Sequence, residues 1–187
     1  AFSCLADSGP RSVQAWSGRR PLVIFTDGAC EEDGELVTHG AVLFDPESSS
    51  SYMFGDKVPV EWLDQWRREG KRQMICQAEI FPILVSKMTW GSIIKGRSIL
   101  WFIDNNSALA SLIRAYSPVL ENYDLLRLNA RLDVQLQCLN WYSRVPSKSN
   151  ISDDASRLQF AALERLGFQR CNPIYDPHKS WLNGVEA

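Results

Sequence analysis

The chain has 187 residues, of which 45% are hydrophobic and 22% are charged, and its formal net charge at pH 7 is −2. These values are typical of a globular domain with a sizeable core, and they exclude a chain that is disordered overall. No apolar run approaches the roughly 20 residues of a membrane helix, and no signal peptide is visible. The charge is lower than that of most nucleic-acid-binding proteins, although a metal site made of carboxylates lowers the total by itself.

The cysteines argue against a zinc site, because no two of them have the C-x-x-C spacing and only His39 and His178 could assist them. We expect reduced, mostly buried thiols in an intracellular protein that contacts no membrane. Because the chain begins with Ala1 rather than Met, we also expect it to be a piece of a longer protein. The cysteines are Cys4, Cys30, Cys76, Cys138 and Cys171.

The first part of the chain predicts an antiparallel meander of three strands. The run from Leu22 to Phe25 is entirely apolar, which is typical of a buried strand. The pair Asp33-Gly34 favours a hairpin turn before the second strand. The predicted strands cover residues 22–26, 36–44 and 51–58.

Two helices are predicted after the third strand. Residues 59–70 carry a full set of helix start and stop signals. Residues 77–90 have apolar side chains at the spacing of one helical face. Since Pro82 lacks an N–H and is tolerated only in a first turn, the second helix should begin near Ala78, with Glu79 at its N-terminal end.

The second half of the chain alternates strands and helices, which completes a mixed-sheet α/β domain. Its first strand contains the apolar run from Ile99 to Ile103 and, like the first strand of the chain, ends in an aspartate. The helices before it allow a crossover, so that the third and fourth strands run in the same direction. The predicted elements are a strand at 96–104, helices at 105–117 and 119–137, a strand at 138–145, a loop at 146–150 and a helix at 151–167.

Asp27 and Asp104 each follow the end of a predicted buried strand. In an open α/β sheet, ligands bind beyond the carboxyl ends of the strands. Two neighbouring carboxylates repel each other unless a positive charge lies between them, and no lysine is adjacent to either aspartate. Oxygen ligands without histidine or cysteine select hard ions, so the pattern predicts a site for Mg²⁺, with Mn²⁺ as a substitute.

Taken singly, each acidic residue also has a structural explanation. Asp27 can begin a turn, and Asp104 can be the N-cap of the following helix. Glu79, like the pair Asp153-Asp154, can complement the dipole of a helix start. The joint pattern of acids at strand exits and helix entries favours a shared site.

Five motifs follow one another between residues 21 and 157: "FTDGAC", "THGAVLF", "QAEI", "FIDNNSA" and "VPSKSNISDDASR". Together they resemble the ribonuclease H family. The short D-x-x-S-R ending is most similar to the ribonuclease H domains attached to reverse transcriptases of retroelements. The resemblance implies a mixed five-stranded sheet, with three antiparallel strands followed by two parallel ones and with strands 1 and 4 adjacent, flanked by helices. It also implies a lead-in segment at 1–20, a ribonuclease H-like domain at 21–167 with an extra helix at 59–72, and a C-terminal tail at 168–187.

The resemblance further implies an endonuclease that hydrolyses the RNA strand of RNA–DNA hybrids with two Mg²⁺ ions. Asp27 would bridge both ions, Glu79 and Asp104 would hold one, and a fourth acid would hold the other. A reverse transcriptase polymerase domain would be the partner in the parent polyprotein. Two alternatives stay open: a catalytically silent scaffold or nucleic-acid-binding domain of this fold, and another nuclease or integrase-like enzyme of the same fold.

The fourth acid is ambiguous in the sequence. Its spacing to Ser156-Arg157 favours Asp153, whereas a count of four residues from Asn150 favours Asp154. We prefer Asp153. Asp154 would then lie beside the site or face solvent.

Residues of the same motifs are our candidates for contacts with the substrate. Family members often carry a histidine in the loop before the last helix, and the loop Pro146–Ser149 has none. In the family this histidine helps to move protons or to release product. Either Lys148 partly replaces the histidine here, or that step relies on water. The substrate-binding candidates are Gly28, Ala29, Cys30, Asn105, Asn106, Lys148 and Asn150.

Overall fold

The fold is a six-stranded sheet with helices on both faces, seen in a computed structural model that describes residues 18–31, 34–67 and 74–175. The sheet order is β5-β4-β1-β2-β3-β6. The first three strands are antiparallel, and β4 and β5 run parallel to β1, which confirms the predicted fold class and the adjacency of the first and fourth strands. The strands are β1 (Leu22–Glu31), β2 (Leu36–Asp45), β3 (Ser50–Lys57), β4 (Ser98–Ile103), β5 (Leu139–Arg144) and β6 (Gln169–Arg170).

The predicted count of five strands is one short. The strand β6 lies in the segment 168–187 that was predicted to be a tail, and it pairs in parallel with Tyr52 and Met53 of β3. A strand of two residues is too short to leave a period-2 pattern in the sequence. The domain boundaries given above stay predictions.

The helices cover both faces of the sheet, and none within the described ranges has the length and apolar character needed to cross a membrane. The larger core contains buried side chains of α2 and α5, and a smaller core on the other face joins Val42 and Met53 to Ala155 and Leu163. The helices are α1 (Val60–Trp66), α2 (Ile75–Thr89), α3 (Gly91–Ile94), α4 (Asn106–Arg114), α5 (Leu120–Leu136), α6 (Asp153–Ser156) and α7 (Ala161–Arg165), with a 3-10 turn at Ser147–Ser149.

The predicted start of α2 is wrong. The helix begins at Ile75 rather than near Ala78, so Pro82 lies inside it and Glu79 lies in its second turn. Pro82 has no N–H to offer the carbonyl of Ala78, which costs one helical hydrogen bond. Every residue from Gln77 to Met88 is buried, and this tertiary packing stabilises the helix despite the proline.

The predicted single helix at 151–167 is also wrong. It is divided into α6 and α7, and Leu158 between them has a left-handed backbone with φ of 59°. The break lets Ala155 of α6 and Leu163 of α7 both pack in the smaller core. The apolar pattern of a single helix concealed this turn, because both halves bury residues against the same sheet face.

Two facing glycines allow α6 to lie directly on the sheet. Gly40 of β2 and Gly55 of β3 are paired in register. A Cβ atom at Gly40 would lie 2.3 Å from the backbone nitrogen of Ser156, and one at Gly55 would lie 2.0 Å from the backbone oxygen of Ala155. Only a residue without a side chain fits at either position.

The cysteines are less buried than predicted. All four in the described residues are free thiols, but only Cys138 is buried, whereas Cys30, Cys76 and Cys171 are partly exposed. Cys4 and His178 lie outside the described residues.

His39 is a buried group whose ionisation opposes folding. Its side chain is inaccessible to solvent, and its Nε2 is 3.1 Å from the Tyr175 hydroxyl, which donates to Asp56 at 2.9 Å. Burial lowers the pKa of His39 to about 3, although the nearby Asp56 charge acts in the opposite direction. The unfolded chain therefore binds a proton at this residue between about pH 6.5 and pH 3, where the folded chain does not.

We expect the His39→Gln variant to be less sensitive to acid than the parent. Below pH 6.5 the parent should lose about 1.4 kcal/mol of stability per pH unit relative to the variant, with the loss ending near pH 3. Urea unfolding of both proteins at pH 7.5 and pH 5 measures this difference. Parallel pH dependences for the two proteins would show that His39 is not the neutral buried group described here.

Candidate metal centre

The register between β1 and β4 places two aspartates side by side. The parallel pairing of these strands ends at Phe25 and Phe102, whose rings stack with centroids 4.7 Å apart. Asp27 and Asp104 each lie two residues beyond that last pair. The two carboxylates therefore meet where the two strands stop pairing.

The prediction that Asp27 lies beyond the end of its strand is wrong. The strand β1 continues to Glu31 because β2 goes on pairing with it, with Asp27 opposite Gly40. What ends before Asp27 is the pairing with β4. The apolar run in the sequence stops at Thr26, close to the point where the pairing with β4 ends. Beyond it β1 pairs with β2 alone, and a strand with only one hydrogen-bonded neighbour needs no apolar run.

Glu79 reaches the same place from α2. A Cβ atom at Gly28 would lie 2.3 Å from the backbone oxygen of Ala78, so this glycine permits the close contact between β1 and α2. The backbone N–H of Gly28 faces the Glu79 carboxylate and acts to lower its pKa. As a result, oxygen atoms of Asp27, Glu79 and Asp104 all lie within 4.8 Å of one another.

The electrostatics of this group favour a bound cation. Burial raises the pKa of Glu79 to about 9, and the charges of Asp27 and Asp104 add to the rise. Burial also raises the pKa of Asp27 to about 6; the hydrogen bond from Ser156 opposes this rise, and the charges of Asp104 and Asp153 add to it. A divalent cation between the carboxylates would remove the repulsion and stabilise their ionised forms.

One buried oxygen of the group has no hydrogen-bond partner among the residues that the structure describes. Glu79 is 4% exposed, and its Oε2 accepts no hydrogen bond in the structure. A buried polar atom left without a partner is destabilising. The unpaired oxygen, together with a donor set made only of carboxylates, fits a hard divalent ion such as Mg²⁺, so the three residues could hold one.

Both oxygens of Asp27 accept hydrogen bonds from the segment that contains α6. Asn150 Nδ2 lies 3.4 Å from Asp27 Oδ1 and donates to the carbonyl of Thr26 at 3.1 Å. The Ser156 hydroxyl donates to Asp27 Oδ2. Asn150 was predicted to contact substrate, and Ser156 had no predicted role beyond its place in the D-x-x-S-R motif.

Asp153 stands close to the group but outside it. Its carboxylate is about half exposed, and both its oxygens lie 3.1 Å from Nε of Arg157. It is close enough for its charge to raise the pKa of Asp27. The neighbouring Asp154 also lies in the first turn of α6. The choice of Asp153 as the fourth acid stays a prediction.

Asp104 is not the N-cap of α4. That position belongs to Asn105, whose side-chain oxygen accepts hydrogen bonds from the backbone N–H groups of Ser107 and Ala108, both at 3.0 Å. Asp104 therefore does not cap α4, and a role as helix N-cap does not explain its presence at this position.

The remaining substrate-binding candidates lie in β1, at the start of α4 and in the segment before α6. Gly28, Ala29 and Cys30 lie within β1, and Asn150 is buried beside Asp27. Asn106, the first residue of α4, is exposed, and so is Lys148 in the 3-10 turn. Their contacts with a substrate stay predictions.

Comparison with known proteins identifies the fold. The structure is similar to ribonuclease H1 from the halophilic archaeon Halobacterium salinarum, with a TM-score of 0.58 and 14% sequence identity over 75% of this chain and 98% of that one. It is also similar to LC11-RNase H1 isolated from compost, with a TM-score of 0.54 and 12% identity over 77% and 98% of the two chains. For the N-terminal RNase H domain of a Mycobacterium tuberculosis protein, the TM-score is 0.51 and the identity 13%, over 78% and 97%.

The chain therefore has the ribonuclease H fold, as the resemblance of its motifs implies. No protein-family model and no curated protein matches the sequence. At 12–14% identity these similarities define the architecture, and the activity has to be argued from the carboxylates themselves.

Proposed function

We propose that this protein is an endonuclease that hydrolyses the RNA strand of RNA–DNA hybrids, with two Mg²⁺ ions that Mn²⁺ can replace. The observation that carries the proposal is the convergence of Asp27, Glu79 and Asp104, whose oxygens lie within 4.8 Å of one another. This cluster lies at the carboxyl end of β4 and beside β1, which is where an open α/β sheet binds ligands. The fold is shared with proteins that are named ribonucleases H.

The acidic residues would bind the metal ions, and Arg157 would position one of these acids. When bound, the two metal ions activate water and stabilise the departing oxygen of the scissile phosphate. Asp27 would contribute to both ion sites, Glu79 and Asp104 would hold one ion, and Asp153 would hold the other. Arg157 fixes the carboxylate of Asp153 through contacts at 3.1 Å from its Nε to both oxygens.

The protein would bind the sugar-phosphate backbone of the substrate. Asn106 and Lys148 are exposed and can contact phosphates or sugars, as can the backbone of Gly28, Ala29 and Cys30. Contacts with a 2′-hydroxyl separate RNA from DNA, and phosphate contacts carry no sequence information. Cleavage should therefore be largely independent of base sequence.

We also propose a setting for this activity, the ribonuclease H domain of a retroelement reverse transcriptase, with a polymerase domain as partner. This rests on the spacing of Asp153, Ser156 and Arg157, which forms the short ending D-x-x-S-R. The structure adds a physical reason for that spacing, because Arg157 contacts Asp153 and Ser156 contacts Asp27.

A silent domain of the same fold is the second candidate. The observation in its favour is the loop Pro146–Asn150, which has no histidine, and the buried His39 cannot replace one. A silent domain need not bind divalent metal, so calorimetry with Mn²⁺ separates the two proposals.

The test of the proposed activity is a comparison of labelled substrates in Mg²⁺: an RNA–DNA hybrid, duplex RNA, duplex DNA and single-stranded RNA. We expect cleavage of the RNA strand of the hybrid alone, leaving 5′-phosphate ends, and complete loss of cleavage in EDTA. Equal cleavage of duplex DNA would indicate another nuclease or an integrase-like enzyme. Tight Mn²⁺ binding without any cleavage would contradict the proposal as well.

A further inference from the structure

The strongest unassigned feature beside the carboxylates is the pair of hydrogen bonds that holds Asp27. Asn150 donates to one oxygen of this carboxylate, at 3.4 Å, and the Ser156 hydroxyl donates to the other. Both donors are buried, Asn150 at 6% exposed and Ser156 at 0%. Neither donor belongs to the strand that contains Asp27, since the segment 150–156 lies more than a hundred residues further along the chain.

We propose that Ser156, assisted by Asn150, is a positioning residue that fixes the orientation of the Asp27 carboxylate for metal binding. The proposal rests on the proposed function, because it concerns the carboxylate that would bridge both ions.

The first argument is the stereochemistry of the carboxylate. An ionised carboxylate has about four lone-pair sites on its two oxygens. One hydrogen bond to each oxygen of Asp27 uses one site on each and leaves one on each for a cation. With both oxygens held, rotation about the bond to the carboxyl group is restricted. A ligand that must present an oxygen to each of two ions needs this restriction.

The second argument is the way in which Ser156 is held in place. It lies over Gly40, the residue paired with Asp27 across β1 and β2. A side chain at Gly40 would displace Ser156, because its Cβ would lie 2.3 Å from the Ser156 backbone nitrogen. Because the sheet has no side chain at Gly40, the Ser156 hydroxyl can reach the Asp27 carboxylate on the neighbouring strand.

The third argument is that Asn150 is itself fixed. Its Oδ1 accepts hydrogen bonds from the backbone N–H of Ser152 at 3.3 Å and from the Ser152 hydroxyl at 2.7 Å. These bonds determine which end of the amide faces Asp27, so that the NH₂ group is the donor there. The support is therefore a network of buried polar groups, which is rigid when all its members have partners.

The same hydroxyl also links Asp27 to the proposed fourth acid. Ser156 Oγ lies 2.9 Å from the backbone oxygen of Asp153, in the same helix. A hydroxyl has one proton, and a bond to an ionised carboxylate is stronger than one to a neutral carbonyl, so Asp27 is the preferred acceptor. Because Asp153 and Ser156 belong to the same helix, the hydrogen bond from Ser156 to Asp27 also keeps α6, and with it Asp153, beside Asp27.

Removal of this hydroxyl should weaken metal binding more than it weakens the fold. Hydrogen-bond partners of metal-binding carboxylates contribute about 10–100-fold to metal affinity or activity. In Ser156→Ala we expect Mn²⁺ affinity, measured by calorimetry and by electron paramagnetic resonance, to fall by about that factor. The Mg²⁺ concentration for half-maximal hybrid cleavage should rise in parallel, while the KM for the hybrid at saturating Mg²⁺ stays unchanged. Asn150→Ala should show a smaller loss in the same direction.

The matched control is Ser86→Ala. Ser86 is also a fully buried serine, and its hydroxyl donates to the carbonyl of Pro82 at 2.7 Å, in the part of α2 beyond Glu79. Urea unfolding of all variants separates lost stability from lost metal affinity. Ser86→Ala should bind Mn²⁺ like the parent.

Two outcomes would overturn the inference: Mn²⁺ affinity in Ser156→Ala that equals that of the parent, or an equal loss in Ser86→Ala. Failure of the proposed function has a different signature, since it appears in the parent protein as absent hybrid cleavage. If the parent binds Mn²⁺ but does not cleave hybrid, the ratio of Mn²⁺ affinities between the parent and Ser156→Ala still decides the role of Ser156. A parent that binds no Mn²⁺ contradicts both proposals.

Discussion

The Asp104→Asn variant should lose hybrid cleavage by about three orders of magnitude or more, which corresponds to about 4 kcal/mol of transition-state stabilisation. The substitution keeps the size of the side chain and replaces one of three carboxyl groups whose oxygens lie within 4.8 Å of one another. An amide is a poor ligand for Mg²⁺ compared with a carboxylate, and the remaining charge is too small to hold the ion in place. Initial rates with labelled hybrid in Mg²⁺ measure the effect.

The loss of activity should come without loss of stability. The charge of Asp104 raises the pKa of both Asp27 and Glu79, so its removal relieves repulsion in the folded protein. The helix cap is unaffected, because Asn105 provides it. We expect the free energy of unfolding of Asp104→Asn without metal to equal or exceed that of the parent.

Asp124→Asn is the control for charge alone. Asp124 lies on α5, its side chain is 52% exposed, and it forms a surface ion pair with Arg127 at 3.6 Å. Such pairs contribute at most about 1 kcal/mol. The control should cleave hybrid like the parent. An Asp104→Asn protein that cleaves as fast as this control would show that the carboxylate cluster is not the active site.

The largest stability effect should come from Lys87→Met. Lys87 is fully buried in α2, where its ammonium donates to Asp133 and to Asn129 of α5 and lies 5.5 Å from the ring centre of Trp101. Burial lowers the pKa of Lys87, but the charge of Asp133 and its hydrogen bond, together with the effects of Tyr142 and Cys138, outweigh burial, and the pKa is raised. Loss of one partner leaves the other charge uncompensated, which costs about 3–5 kcal/mol. Urea unfolding at pH 7 should show this loss.

The double variant Lys87→Met/Asp133→Leu tests the reason for that loss. If the cost comes from an uncompensated charge, removing both partners should recover most of the stability, since buried ion pairs are often replaced by apolar residues at little cost. A double variant that is as unstable as the sum of the two single variants would instead show that the packing of Lys87, and not its charge, matters.

The sequence was informative where a residue's role depends on neighbours in the chain. The run from Leu22 to Phe25 and the run from Ile99 to Ile103 predicted two buried strands, and these strands bring Asp27 and Asp104 together as expected. Glu79 was expected to approach from a helix, and it does so from α2.

The sequence was uninformative where tertiary packing overrides local signals. Pro82 predicted a helix start, but the burial of α2 on all sides stabilises a helix around it. The continuous pattern of 151–167 concealed the turn at Leu158, and it concealed the approach of Ser156 to Asp27 as well. That approach depends on Gly40, whose partner in β1 is known only once the strands are paired.

The most direct test of the central claim is the anomalous diffraction of crystals soaked in Mn²⁺. The account predicts a strong peak in contact with oxygens of Asp27, Glu79 and Asp104, and a second peak between Asp27 and Asp153 when hybrid is bound. Peaks only at surface carboxylates such as Asp124, with none among these three residues at saturating Mn²⁺, would contradict it.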